Sequence, residues 1–343
     1  MSPSVPPADT VGSMSDDAER RSRLLGVKLR ALVRDHLGRD VGEPDEFAPG
    51  AAIVDHGTAW VLLDDQPERR LGAAVVWAVR RDVERLELIA EAGTGLLVRR
   101  AEQFGDSVGV WHAEGRALLP AVPEPLVASA PPPPHHEEFR ERIVAGGADP
   151  AVEHGVLVGE VRGLEVCRVV DDPALDSTRL EVGVGAHDRE AFQMLHGDVP
   201  AVESLARIVA VVESHRRVGA PQHPLNRLAA ERFLRWRLID DPGLIGMQRL
   251  AAAAPPVPRE NLKDATPCVA AGVDAAGNPA VVVCSSGVDL DVVPFAADAR
   301  IAVEAATGTP HRLVIVTPTR DQVRVTEQLA GRLARPAELI GVD

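Results

Sequence analysis

The chain contains no tyrosine, and aromatic residues make up only 3 % of its 343 residues. That scarcity argues against a stacking platform for single-stranded nucleic acid, where each base needs an aromatic face. Lysine is nearly absent too: the 37 basic residues are arginines except for Lys28 and Lys263. Such usage points to a GC-rich coding background of the actinobacterial type. Positive charge is short overall, with a formal net charge of −14 and neither half of the chain net basic. Nucleic acid is disfavoured as a partner, because phosphate contact needs clustered Arg and Lys. The place for a local basic patch is Arg227, Arg232, Arg235 and Arg237. Three widely spaced cysteines (Cys167, Cys268, Cys284) argue against a disulfide framework and for a reducing, cytoplasmic compartment. No apolar run approaches the roughly 20 residues of a bilayer span, so no membrane partner is expected. The start, MSPSVPPADTVGSMSDDAERR, lacks the basic region and apolar core of an export signal, and residues 1–20 are expected to be a disordered tail.

What is present is ordinary globular composition, 45 % apolar and 26 % charged, enough for two domains with buried cores. The clearest break is PAVPEPLVASAPPPPHHEEF (120–139), whose four consecutive prolines favour an extended polyproline spacer. His135 and His136 beside it invite a metal reading. With no partner ligand at useful spacing, a solvated pair on a linker is the plainer expectation.

Periodicity assigns the elements on either side. LLGVKLRALVRDHL (24–37) reads as a helix, AAIVD (51–55) and TAWVLLD (58–64) as strands, and LGAAVVWAVRR (71–81) as a helix. RLELIAE (85–91), TGLLVRRAEQF (94–104) and SVGVW (107–111) follow as strand, helix and strand. Toward the C-terminus, HPLNRLAAERFLRWRLI (223–239) reads as one helix, and PCVAAGVD (267–274) and PAVVVC (279–284) as a hairpin across Ala-Ala-Gly-Asn. LDVVPFAADARIAVEA (290–305) is a helix, HRLVIVTP (311–318) a strand, RDQVRVTEQLAGRLA (320–334) a helix and AELIGV (337–342) a strand. Both ends therefore spell helix, strand, strand, helix, strand, helix, strand, with local echoes such as ERLELIAE against HRLVIVTP and AAIVDHG against AAGVDAAG.

The expected fold class is α/β: two diverged copies of an α-β-β-α-β-α-β unit with mixed, mostly parallel sheets. The N-terminal copy spans 21–119 and the C-terminal copy 223–343. Between them lie the linker (120–139) and a small module (140–222). In that module GVLVGEVRGLEVCRVV turns at Arg162-Gly163, RLEVGV (179–184) adds a strand, and VESLARIVAVVESHRR (202–217) is helical. The competing view is that any α/β chain can be parsed into such an order.

Four constellations could carry chemistry. In AVVVCSSGVDLD (280–291) a strand ends in small polar residues before a helix, so Ser285, Ser286, Gly287 and Asp289 could bind a ligand with backbone N–H groups, and Cys284 could be activated there. The specific signatures fail: there is no GxxxxGK[ST] loop and no G-x-S-x-G elbow, while Asp289 and Asp291 would repel phosphate. The plainer reading is a strand end followed by a capped helix. Second, Asp274 ends a strand whose hairpin partner would have to bring an acid and a lysine for nuclease-like metal chemistry; it brings neither, and Asp55 with Asp64-Asp65 repeats the shortfall. Third, Glu160 and Glu165 would face each other across a two-residue turn and could hold Mg²⁺ or share a proton, with Glu181 and Asp188 nearby; the alternative is a solvated strand face balanced by Arg162 or Arg168. Fourth, AHDREAFQMLHGD offers His187, Asp188, Glu190 and His196, at a spacing that does not suit a helical zinc pair. His215 and His223 carry no pattern.

No loop in the sequence collects a nucleophile, a base and an orienter. The leading expectation is therefore a non-catalytic scaffold or partner-binding protein, acting on a protein partner or by self-association. One alternative is a metal-dependent hydrolase using Asp274, Glu160, Glu165 or Glu181 with Mg²⁺. The other is small-ligand binding at the C-terminal ends of the strands, near Ser285 to Asp289 and Thr317 to Arg320.

Overall fold

A computed structural model describes residues 9–128, 130–173, 176–185, 188–189, 200–220, 223–258 and 266–343, with side chains from Glu19 onward. The chain forms two compact units, one of residues 1–125 with 331–336, the other of 126–330 with 337–343.

In the first unit a five-stranded sheet runs in sequence order: β1 (Gly50–Asp55), β2 (Thr58–Leu63), β3 (Arg85–Ala90), β4 (Val108–Glu114) and β5 (Ala117–Pro120). β1 and β2 pair antiparallel, β2–β3 and β3–β4 parallel, and β4–β5 antiparallel. Helix α1 (Asp9–Leu37) covers one face. Leu29, Leu32 and Val33 pack there on Ile53, Trp60, Leu62 and Ile89. The alternate residues Ala59, Val61 and Leu63 are equally buried and point the other way. On that side lie α2 (Leu71–Val79) and α3 (Thr94–Ala101), which pack on β3 and β4. Burial on both faces explains why these strands read as continuous apolar runs. The first helix extends back to Asp9, so part of the segment expected as a disordered tail is helical backbone.

The second unit holds two sheets. A four-stranded antiparallel sheet comprises β6 (Asp149–Glu153), β7 (Val156–Val161), β8 (Leu164–Asp172) and β9 (Ser177–Val182). Short helices α4 (Pro134–Glu137) and α5 (Arg140–Ala145) precede it, and α6 (Ala201–His215) packs Leu205, Val209 and Val212 on Leu157, Val166 and Val169. The other sheet has five strands: β10 (Met247–Ala253), β11 (Cys268–Asp274), β12 (Pro279–Cys284), β13 (Arg312–Pro318) and β14 (Glu338–Val342). Its first two pairings are antiparallel and its last two parallel. Helix α8 (Ala230–Asp240) sets Leu234 and Leu238 against Met247, Ala270, Val282 and Val314. The opposite face is covered by α9 (Val292–Thr307), and α10 (Arg324–Ala330) joins β13 to β14.

The protein is thus mixed α/β. Antiparallel and parallel pairings balance in each five-stranded sheet, so these sheets are not mostly parallel; the edge hairpins, including the unexpected β5 and β10, supply the antiparallel share. β10 escapes sequence reading because MQRLAAA has no alternation of apolar and polar residues, yet its ladder with β11 makes it a strand.

The helix expected over 223–239 breaks into α7 (Pro224–Arg227) and α8, with Ala229 at φ 48°. The cause is Arg216, buried to 1 % exposure. Its guanidinium donates to the carbonyls of Leu225, Leu228 and Ala229 at 2.7–2.9 Å. A continuous helix would spend those carbonyls internally. Burial lowers the Arg216 pKa to about 10.

Candidate functional site

The centre of the second unit is the β7–β8 hairpin. Arg162 and Gly163, at φ 49° and 78°, form the expected two-residue turn, and positive φ at both positions is the type I′ signature. Glu160 and Glu165 are direct partners in the ladder, as the turn length implies. They do not form a solvated face. Glu160 is 6 % and Glu165 1 % exposed, and each is met by two guanidinium groups.

Glu160 accepts from Arg232 and Arg235, both on α8, and Arg232 also bonds Glu153. Glu165 accepts from Arg168 at 2.8 and 3.1 Å and from Arg189 at 3.1 Å. Glu181 pairs with Arg179 at 2.9 Å and with Arg189 at 3.6 Å. Burial works against the charge on Arg232, but Glu160 and Glu153 outweigh it and raise its pKa. Buried charges persist only with such partners. The stretch considered for a basic patch therefore divides: Arg232 and Arg235 are interior counterions, while Arg237 bonds the carbonyl of Asp343 at 2.6 Å. Asp149, opposite Glu160 on β6, has its pKa raised by burial and by the charges of Glu160 and Glu213.

The strand-end aspartates are likewise occupied. One oxygen of Asp274 accepts the backbone N–H groups of Ala276 and Asn278, both at 2.9 Å, and the other accepts the Asn278 amide. This Asx-turn closes the β11–β12 hairpin and holds the Asp274 carboxyl below its ordinary pKa. In the first unit Arg39 grips both oxygens of Asp55, and Arg21 bonds Asp64 at 2.7 Å.

The CSSG stretch closes on itself. Cys284 is fully buried opposite Cys268, and burial pushes its thiol far above the ordinary range, away from nucleophilic use. The Ser285 N–H continues the sheet to Val316 at 3.0 Å. The Gly287 N–H, the donor an anion would need, is taken by the Asp321 carboxylate at 2.8 Å. The Asp289 side chain accepts from the Asp291 N–H at 2.9 Å. Ser286 is half-buried and Asp289 exposed. Nearby Thr317 is buried, and its hydroxyl has no hydrogen-bond partner among the described residues.

Two groupings escaped sequence reading. The first corrects the expectation for His135 and His136. They sit on α4, His136 is 6 % exposed, and both rings meet Asp171 at the far end of β8. His135 Nε2 lies 3.0 Å and His136 Nε2 2.9 Å from Asp171 Oδ1, which also accepts from the Thr178 hydroxyl at 2.7 Å. His136, Thr178 and His135 hold the Asp171 carboxyl far below the usual carboxylate range. Among the described residues, this is the one group of three or more metal-ligating side chains with donor atoms all within 4.8 Å of one another. A carboxylate 35 residues from His136 left no local signal.

The second grouping is a cleft of about 420 Å³ in the first unit, lined by Arg85, Glu87, Glu102, Asp106 and Trp111. Glu87 is buried on β3, with one oxygen on Arg85 and the other accepting the Trp111 indole N–H at 2.7 Å. Arg85 and Val108 open their strands, so this cleft lies at the N-terminal ends of β3 and β4, away from the usual ligand end of an open α/β sheet.

His215 and His223 stack at 3.8 Å, and His223 accepts the Leu225 N–H to cap α7. Asp188 is exposed; His187, Glu190 and His196 lie outside the described residues. Comparison of the chain with protein-family models, curated proteins and solved structures returned no match.

Proposed function

We propose that the chain is a non-catalytic binding protein, built from two related five-stranded α/β portions and an arginine-locked hairpin module, that acts on a protein partner or a second copy of itself. One observation carries this reading: Glu160, Glu165 and Glu181 each face paired guanidinium groups, and Asp274 is spent on its own turn. An ion at Glu160 or Glu165 would first have to displace these partners, leaving the buried Arg232, Arg235 or Arg189 uncompensated, and one at Asp274 would have to open its turn. Relatedness of the two five-stranded portions is supported by strand order. β1–β4 and β11–β14 both run antiparallel, parallel, parallel, with a helix in each parallel crossover. The sequence echoes fall in register with this, on β3 and β13 and on β1 and β11. A panel of phosphoester and nucleic-acid substrates with Mg²⁺ and Mn²⁺ tests the proposal. No turnover above the uncatalysed rate is expected; turnover abolished by E160Q, E165Q or D274N would overturn it.

A second reading, small-ligand binding at the strand ends, is favoured by the Thr317 hydroxyl beside Ser285, buried and with no hydrogen-bond partner among the described residues. A thermal-shift screen with nucleotides and acyl donors separates the two. Stabilisation that disappears in T317V would favour the ligand site.

A further inference from the structure

We propose that His135, His136 and Asp171 form a binding site for a divalent transition metal ion, for which Zn²⁺ is the probe, and that the ion ties the end of the proline-rich segment to strand β8. This goes beyond the partner-binding reading and stands on separate residues.

The geometry comes first. Two imidazole Nε2 atoms approach one carboxylate oxygen at 3.0 and 2.9 Å, and all three donors lie within 4.8 Å of each other. Zinc–nitrogen and zinc–oxygen bonds of about 2.0–2.1 Å place neighbouring tetrahedral ligands about 3.3 Å apart. The observed separations need only small side-chain rotations to admit an ion.

The hydrogen bonding points the same way. Asp171 Oδ1 receives three donors, the two histidines and the Thr178 hydroxyl, whereas a carboxylate oxygen offers about two lone-pair directions. The crowding ends if the two imidazoles present lone pairs to a cation that Asp171 also ligates. His136 is more than nine-tenths buried, and its Nε2 is held toward Asp171 by the 2.9 Å contact. The side chains of His135 and Asp171 are half exposed, which leaves an entry path and an open position for water.

The surroundings supply an independent observation. Antiparallel pairing brings the His154-Gly155 turn, at the start of β7, to the sheet end where β8 finishes with Asp171 and Asp172. Both ring nitrogens of His154 are buried without a hydrogen-bond partner among the described residues. The Pro131 carbonyl lies over Gly155, 3.6 Å from where a Cβ would stand. The proline segment, the His154 imidazole and the His-His-Asp group thus gather at one end of the sheet. Two imidazoles with one carboxylate select zinc, nickel, cobalt or copper over magnesium and calcium, which prefer all-oxygen sets.

The test uses the full chain carrying no histidine tag, titrated with Zn²⁺ by calorimetry and with Co²⁺ by visible absorption. One ion per chain is expected, with a Co²⁺ ligand-field band. H135A and D171N change half-exposed side chains and should leave the far-ultraviolet circular dichroism unchanged, yet each removes a ligand and should weaken Zn²⁺ by more than the roughly tenfold that loss of an outer-shell partner costs. Zn²⁺ should also slow proteolysis within residues 121–133 of the wild type. Absence of saturable binding, or equal affinity in wild type, H135A and D171N, would overturn the proposal.

Discussion

Replacing Arg232 by methionine keeps most of the stem and removes the charge that joins α8 to the β-hairpin module. The side chain is 4 % exposed, and it neutralises Glu160 and Glu153, whose side chains are 8 % and 17 % exposed. Breaking a buried ion pair by removing one partner costs about 3–5 kcal/mol. Glu160 retains Arg235 at 3.3 Å, which places the expected loss near the lower bound, about 3 kcal/mol. For a unit of this size each kcal/mol moves the midpoint by about 2–4 °C, so R232M should melt about 6–12 °C below wild type. Chemical denaturation followed by circular dichroism measures this directly. E160Q in the same background removes the carboxylate left underpaired, so the double variant should be more stable than the sum of the single losses, by about 0.5–3 kcal/mol. If R232M stays within about 0.5 kcal/mol of wild type, the range of a surface substitution, or if the two changes simply add, the buried arginine lock does not exist as described.

Other outcomes follow from the same geometry. Gly163→Ala places a Cβ on a residue at φ 78° that abuts the Arg232 backbone; the left-handed conformation alone costs about 1–2 kcal/mol, and denaturation should show at least that loss. Asp149 is held protonated more readily in the fold than in the unfolded chain. Its ionised form therefore destabilises the fold at neutral pH; the penalty fades as pH falls through the raised folded value and is gone below the ordinary aspartate value of about 3.9. D149N should accordingly be more stable than wild type at pH 7, by a few tenths of a kcal/mol at this exposed, solvent-screened position, with the gain vanishing near pH 3. The three thiols are buried, Cys167 is pushed up to about 12 and Cys284 higher still than its ordinary value. An aromatic disulfide reagent at pH 8 should leave the folded chain unmodified and label all three cysteines in urea.

Much of the fold is written locally. Runs such as TAWVLL and PAVVVC are short, apolar and β-branched, and punctuation by Arg162-Gly163 fixes a turn and with it the opposition of Glu160 and Glu165. The partners that decide what those carboxylates do are remote: Arg232 lies 72 residues beyond Glu160, and no local pattern announces it. Asp171 is hidden from the histidine pair in the same way, because the sheet that carries it forms only after the linker has ended. The break at Ala229 has no glycine or proline to signal it; a buried arginine 13 residues upstream imposes it. Elements whose own period decides the outcome are legible in the sequence; those set by a tertiary ion pair are not.

A calorimetric titration of the full chain with Mg²⁺ probes the central claim most directly, since magnesium seeks carboxylates and has little affinity for the imidazole pair. With Glu160, Glu165, Glu181 and Asp274 all committed to internal partners, no saturable heat should appear up to millimolar Mg²⁺. A stoichiometric isotherm that disappears in E160Q or D274N would contradict the account.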